Sequence, residues 1–247
     1  MVKSFLQFIN EDSNSKSEFI KSLAIKIIQK IKNSSSVDDD YHSFSGIKFN
    51  SPFTFNLILN ICKTNYPNFK NDQHFKSLPW EEINYKKYGY SIDANTIKNK
   101  DSNTPLIEIF LLINPKEEPH LYTKLYSRLL DILTHETNHL DQLGVNADPF
   151  SANPSMSDIR NSAKRSYKYF LLPDEIESMV EGMYVSSKEQ HLPLDEVFND
   201  YLFPFIKSKY ITKGEYLEVI TVWIKFALEK YPDANFSNKV AYIINSI

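Results

Sequence analysis

Apolar side chains recur at helical spacing near the start of the chain and predict one amphipathic helix there. Phe19, Ile20, Leu23, Ile27 and Ile31 fall three or four residues apart, which places them on one face of a helix. A Ser- and Asn-rich polar segment at 12–17 precedes this stretch, and a second polar segment at 33–40 follows it. We expect the helix to end at that second segment.

The pattern changes from about residue 46 to 115, where it favours strands. Phe53, Phe55, Leu57 and Leu59 alternate with polar residues, and 106–113 is a short apolar run that ends before Asn114 and Pro115. Tyr85, Tyr88, Tyr90 and Ile92 suggest another strand, with Gly89 as a bulge or turn within it. This zone predicts a small β-sheet.

Beyond Pro119 the pattern is mainly helical. A long helix is expected over 121–143, with Glu117 and Glu118 at its amino-terminal end and Gly144 as its C-cap. Further helices are expected at 173–190, 193–207, 213–231 and 236–247. The sequence thus predicts an α+β fold: an N-terminal peptide and helix at 1–45, then one domain at 46–247 with a mixed lobe (46–143) and a helical lobe (144–247).

Composition and charge exclude several classes of protein. The 247 residues carry 42% hydrophobic and 24% charged side chains, and a formal net charge of −3 gives no support for nucleic-acid binding. The apolar runs are far shorter than the roughly 20 residues that span a bilayer, and the N-terminus lacks the apolar core of a secretory signal. We therefore expect a cytoplasmic protein without a membrane partner. Cys62 is the only cysteine, which excludes an intrachain disulfide and a thiolate metal cluster, and it is expected in the core.

Candidate chemistry is concentrated in His-Glu-Thr-Asn-His at 135–139, inside the long predicted helix. His135 and His139 are four residues apart, so their imidazoles project from one face, one turn apart, and can bind the same ion. Zn²⁺ is the metal most often held in this way, and Glu136 would remain free to take a proton from a metal-bound water. The motif predicts a hydrolytic zinc site.

A catalytic zinc needs a third protein ligand, and several acidic residues are candidates. A metzincin would carry Gly and His at positions 142 and 145, where this chain has Gln142 and Val145, so that class is rejected. An acidic turn at 173–178 opens a predicted helix and offers Glu175 and Glu177. Helical phase does not separate these two residues, because they flank the apolar stripe of that helix almost symmetrically. Asp141 and Asp148 are weaker alternatives.

At this acidic turn the chain resembles the gluzincin metallopeptidases, in particular small phage- and plasmid-borne members with His-Glu-x-x-His followed by a helix of the form Pro-x-Glu-x-x-Ala. The resemblance covers about residues 105–190 and implies a zincin-like fold, Glu175 as the third zinc ligand and a peptide or protein substrate. Ser178 stands where the family usually has Ala. Larger gluzincins have an acid four residues after the ligand; Met179 occupies that position for Glu175, whereas Glu181 occupies it for Glu177.

Two further features leave alternatives open. Tyr167, Tyr169, Tyr184 and His191 are candidate oxyanion donors, and no residue is singled out among them. Residues 1–11 resemble the amphipathic peptide that directs internal head proteins of T-even-like phages into the capsid, although a plain terminal helix with Phe5, Phe8 and Ile9 on one face is the preferred explanation. The resemblance implies a phage protein in the host cytoplasm or virion interior, with capsid proteins as partners. A non-enzymatic virion or host-interaction protein on a zincin scaffold is therefore the alternative function.

Overall fold

The structure is a computed structural model that describes residues 16–34, 40–48, 54–64, 79–97, 104–145 and 166–244. Its first unit (Met1–Leu140) contains α1 (Lys16–Asn33), β1 (Asp40–Lys48), β2 (Thr54–Lys63), α2 (Pro79–Tyr88), β3 (Tyr90–Ile97), β4 (Leu106–Ile113) and most of α3 (Glu118–Val145). Its second unit (Asp141–Ile247) contains a 3-10 helix (Tyr167–Leu171), α4 (Pro173–Gln190), α5 (Leu194–Lys207), α6 (Lys213–Lys230), a short 3-10 turn (Asn238–Val240) and α7 (Ala241–Ile244). The expected α+β composition is confirmed.

The four described strands form one mixed sheet in the order β1-β2-β4-β3. β1 is antiparallel to β2, β2 is parallel to β4, and β3 is antiparallel to β4. Alternate residues of the two central strands pair as Leu57 with Ile107, Leu59 with Ile109 and Ile61 with Leu111, and all six are almost completely buried. This apolar face holds the sheet on the core, and β3 is an edge strand of the described sheet.

The predicted helix near the N-terminus and two of the predicted strands are confirmed. α1 buries all five of the apolar residues that predicted it and ends at Asn33, as the polar segment indicated. Strand β4 has the expected bounds, and β2 covers three of the four alternating residues, while Phe53 lies outside the described residues. The structure also has strand β1, which the sequence pattern did not reveal.

The prediction of a strand containing Tyr85, Tyr88, Tyr90 and Ile92 is wrong for the first two of these residues. Both residues belong to helix α2, which begins at Pro79, has Glu81 and Glu82 in its first turn and has Lys86 and Lys87 in its last turn. This charge order favours a helix because it complements the helix dipole. Gly89 then turns the chain with a φ of +77°, and only Tyr90 and Ile92 lie in strand β3.

The predicted helices of the C-terminal half are largely confirmed. The bounds of α4 are those expected, and those of α5 and α6 differ by one residue. The helix expected at 236–247 is instead a 3-10 turn and the four-residue α7. Gly144 is not a C-cap, because α3 continues to Val145. The proposed division at 45/46 and the single domain over 46–247 stay predictions.

Helix α3 lies between α1 and the edge strand β3. Lys16 donates to Asn138 and Lys32 lies over the ring of Tyr122, so α1 and α3 run antiparallel over about 24 Å, at ~1.5 Å per residue. On the β3 side, Lys124 lies over the ring of Tyr88 and Thr96 donates to Glu136. The carboxyl-terminal half of α3 therefore lies beside the end of β3.

A buried lysine joins the ends of three elements of the first unit. Lys63, at the end of β2, donates to the backbone oxygen of Ser34 at 2.8 Å and to Oε1 of Glu118 at 2.6 Å. The same Glu118 oxygen accepts a hydrogen bond from Tyr122 one turn later in α3. Partial burial acts to raise the pKa of Glu118, but these hydrogen bonds outweigh burial and leave that pKa below its ordinary value.

The second unit has its own core, which is built around Trp223 of α6. Phe170 and Phe198 meet the indole edge-on, with ring centroids 6.1 and 5.4 Å away. The indole nitrogen donates to the backbone oxygen of Phe170 at 2.9 Å, which satisfies its one polar group. Cys62 of the first unit is buried, as expected. No described helix combines the length and the apolar character needed to cross a membrane.

We predict that Glu118→Gln lowers the free energy of unfolding by about 1–3 kcal/mol at neutral pH, because buried Lys63 loses its charged partner. The folded-state pKa of Glu118 is depressed, so its contribution is complete above the ordinary value of 4.5 and is lost as the pH falls through the folded-state value. Urea denaturation of both proteins from pH 7 to pH 3 measures the difference. A gap that is as large at pH 3 as at pH 7 would contradict the ion pair as its source.

We also predict that Gly89→Ala destabilises the first unit by about 1–3 kcal/mol. The φ of +77° disfavours any side chain, and an added Cβ would lie 2.6 Å from Cβ of Glu117. Gly214→Ala is the matched control, since nothing lies within 4 Å of the added methyl group in the first turn of α6. Equal unfolding midpoints for the two variants would show that the turn tolerates a side chain.

Candidate metal centre

The two motif histidines lie together on α3. His135 Nε2 and His139 Nε2 are 3.0 Å apart, and their rings are nearly perpendicular with centroids 4.6 Å apart. The buried hydroxyls of Thr134 and Thr137 donate to the backbone oxygens of Leu130 and Leu133, so both are satisfied within the helix. Two nitrogens bound to one tetrahedral Zn²⁺ would be about 3.4 Å apart, at ~2.0–2.1 Å per bond. The pair is therefore close to the separation that one ion requires.

Glu175 completes a group of three ligand-type side chains. It lies in the first turn of α4, after Pro173, and its side chain is fully buried at 0% exposure. His135, His139 and Glu175 each offer one ligand atom, and these three atoms lie within 4.8 Å of one another. This cluster could bind a metal ion. Two imidazoles and one carboxylate are also the donor set of one class of catalytic zinc site, so the chemistry of the residues fits that metal.

Glu177, the competing ligand, lies elsewhere on α4. Its carboxylate is 44% exposed and accepts from Lys230 Nζ at 2.6 Å. Glu181, four residues further on, lies 3.6 Å from the same lysine nitrogen. Ser178, at the position where the resemblance expects a small residue, is fully buried. Glu175 thus belongs to the group that could bind a metal ion, whereas Glu177 forms an ion pair with Lys230 of α6.

Glu136 lies beside the histidines with its two carboxylate oxygens in different surroundings. Oε2 accepts a hydrogen bond from Thr96 Oγ1 at 2.7 Å, and Oε1 lies 3.9 Å from His135 Nε2. The side chain is only 5% exposed. A carboxylate in this position can exchange a proton with a molecule bound next to the histidines.

The neighbouring turns of α3 contain further buried polar groups. Asp131, one turn before His135, is buried and accepts from Arg128. Burial raises the pKa of Asp131, and the Arg128 guanidinium opposes that rise. On the α1 side, Lys16 donates to Asn138, which lies between the two histidines in sequence. These contacts fix the helix turns that hold the site.

Two buried acids lie near His135. Both Glu136 and Glu175 are buried, and both place a carboxylate oxygen within 4.8 Å of a ring nitrogen of His135. Imidazole nitrogens and carboxylate oxygens are common ligands of divalent metal ions in proteins.

The structure gives the candidate oxyanion donors other contacts. Tyr184 donates to Asp233 and stacks on Tyr231, while Tyr169 meets Phe170 edge-on. His191 ends α4 in a left-handed conformation, and a hydrogen bond to Glu218 raises the pKa of Tyr167.

Some candidates lie outside what the structure describes. Asp148 and residues 1–11 are among them, and of Asp141 only the helical backbone is described. His120, in the first turn of α3, is exposed. The contact of Thr96 with Glu136 was not predicted from the sequence. The two residues are 40 positions apart, and no residue close to Thr96 in the sequence indicates the contact.

Comparison with known proteins gives no relative for this chain: no family model matches it, and neither the curated proteins nor the solved structures contain a significant match.

We predict that metal-depleted protein binds Zn²⁺, and that His139→Ala and Glu175→Gln each weaken binding by at least about 100-fold. This loss should exceed the 10- to 100-fold typical of residues that only support a ligand. Titration with a competing chelator measures the affinity, and the zinc-dependent rise in unfolding temperature provides a second readout.

The matched controls are His120→Ala, an exposed histidine on the same helix, and Glu177→Gln, an exposed acid two residues from Glu175. Both should bind zinc like the original protein. Equal affinity in all five proteins would remove the metal centre.

Proposed function

We propose that this protein is a zinc-dependent hydrolase, and specifically a metallopeptidase with a zincin-like fold. The observation that carries the proposal is the convergence of His135, His139 and Glu175, with Glu136 next to the same histidines. The His-Glu-x-x-His motif contains only the two histidines and Glu136. Glu175 comes from a separate helix, so it supports the proposal independently of the motif.

Each side chain has a definite part in the proposed reaction. His135, His139 and Glu175 would hold the ion, which when bound supplies Lewis acidity and makes a water molecule easier to deprotonate. Glu136 accepts the proton of the attacking water and later donates it to the leaving amine. Its burial favours this exchange, because few competing water molecules reach the carboxylate.

A peptide substrate is supported by the resemblance to gluzincins and by the position of strand β3. Thr96, which contacts Glu136, is the penultimate residue of β3, and no other described strand pairs with the outer edge of β3. Its residues Asp93, Asn95 and Ile97 alternate as exposed positions. An extended peptide can add to such an edge through backbone hydrogen bonds, which would bring it close to Glu136.

The zincin-like fold is supported by the order of the elements. A mixed sheet precedes the helix with the two histidines, and a helix with a buried acid in its first turn follows that helix. The virion role depends on residues 1–11, which lie outside the described ranges. Zinc-dependent peptide hydrolysis is therefore the function that the described residues support best.

We predict that Glu136→Gln binds zinc like the original protein and hydrolyses peptides at least about 100-fold more slowly, because the amide cannot accept a proton. Cleavage is followed by mass spectrometry on zinc-loaded protein with a mixed peptide library. Glu177→Gln, the same chemical change at an exposed site, should cleave normally. Undiminished cleavage by Glu136→Gln would show that another group acts as the base.

A further inference from the structure

The two oxygens of the Glu136 carboxylate have different neighbours, and Thr96 bonds to one of them. Thr96 Oγ1 lies 2.7 Å from Oε2 and 3.3 Å from the backbone oxygen of Glu136. A hydroxyl donates a single proton, and the shorter distance assigns it to the carboxylate. The other oxygen, Oε1, is the one that lies 3.9 Å from His135 Nε2.

We propose that Thr96 is the positioning residue for Glu136: it holds Oε2 so that Oε1 faces the metal-binding nitrogens. This role rests on the proposed function, in which Glu136 is the base. The side chain of Thr96 would act through the orientation of the Glu136 carboxylate.

The setting of Thr96 suits it to this task. Its backbone is fixed by the antiparallel pairing of β3 with β4, in which Thr96 is the partner of Ile107. Its β-branched side chain has few χ1 rotamers, so the hydroxyl has few alternative positions. A glutamate side chain has three rotatable bonds, and a hydrogen bond from a rigid donor removes most of its conformers.

The distance from the other carboxylate oxygen, Oε1, to His135 Nε2 also bears on the role of Glu136. At 3.9 Å, Oε1 is too far from His135 Nε2 for a hydrogen bond, yet the two atoms are close enough to contact the same small molecule. A rotation of the carboxylate that brought Oε1 onto the nitrogen would place the base against a metal ligand. The bond from Thr96 opposes that rotation.

A purely structural role is the alternative, since the same hydrogen bond ties β3 to α3. In that case, loss of the hydroxyl would lower stability and leave the catalytic rate of the folded protein unchanged. The two roles therefore predict different values of kcat for a variant without the hydroxyl. Replacement by serine distinguishes them further, because serine retains the hydrogen-bond donor.

The test compares Thr96→Val, Thr96→Ser and the original protein, all loaded with zinc. We expect Thr96→Val to keep its zinc affinity and its KM within about twofold and to lose about 10- to 100-fold in kcat. Thr96→Ser should recover most of that loss. Thr221→Val is the matched control, because it removes a hydroxyl that bonds only to the backbone of the exposed face of α6, and its kcat should not change.

A second readout does not depend on activity. In metal-free protein, a double-mutant cycle of Thr96→Val with Glu136→Ala should give a coupling of roughly tenfold in the unfolding equilibrium constant. Additive effects would overturn the proposal, because the two side chains would then not interact.

The kinetic outcomes separate this proposal from the proposed function. If Glu136→Gln abolishes cleavage but Thr96→Val cleaves at the original kcat, or if serine recovers no more activity than valine, the positioning role is overturned and the hydrolase remains. If Glu136→Gln cleaves normally, another group is the base and the role of Thr96 is overturned. If the zinc-loaded original protein cleaves nothing, the proposed function is lost and the role of Thr96 is lost with it.

Discussion

The structure of the first unit depends on the burial of polar side chains along the middle of α3. Within two turns this helix buries five of them to 6% exposure or less: Asp131, Thr134, Glu136, Thr137 and Asn138. A buried polar group destabilises the fold unless it is hydrogen-bonded. Two of these groups bond within the helix, and Asp131 uses Arg128 of the same helix. Of the remaining two, Glu136 accepts from Thr96 of β3, and Asn138 accepts from Lys16 of α1 through its side-chain oxygen, while Asn138 Nδ2 is buried without a described hydrogen-bond partner. These two bonds link α3 to a neighbouring strand and a neighbouring helix.

Two groups of ionisable side chains in the described part of the chain differ in kind. Lys63 is buried and Glu118 is partly buried; they are oppositely charged and 2.6 Å apart, so each neutralises the other. Glu136 and Glu175 are buried near the imidazoles of His135 and His139. The first group is an ion pair within the fold, whereas the second has the side-chain types that bind divalent metal ions.

The sequence predicted the features that depend on local pattern and missed those that depend on contact between distant residues. α1, β2, β4 and α4 follow from apolar periodicity and turn residues, which are local. Tyr85 and Tyr88 misled the strand prediction because aromatic side chains occur in both strands and helices, while the charge order around them favoured α2. The four-residue spacing of His135 and His139 fixed their common face. Helical phase did not decide between Glu175 and Glu177 as the third ligand. In the structure, Glu175 is fully buried, whereas Glu177 is exposed.

A local motif and a distant residue contribute to the same candidate metal centre. The spacing of His135 and His139 is a local property of α3, and it requires no acid from elsewhere in the chain. Glu175 comes from α4, is completely buried, and offers a ligand atom within 4.8 Å of a ring nitrogen of each histidine. Because the two features arise independently, their coincidence is a stronger argument for a metal centre than either feature alone.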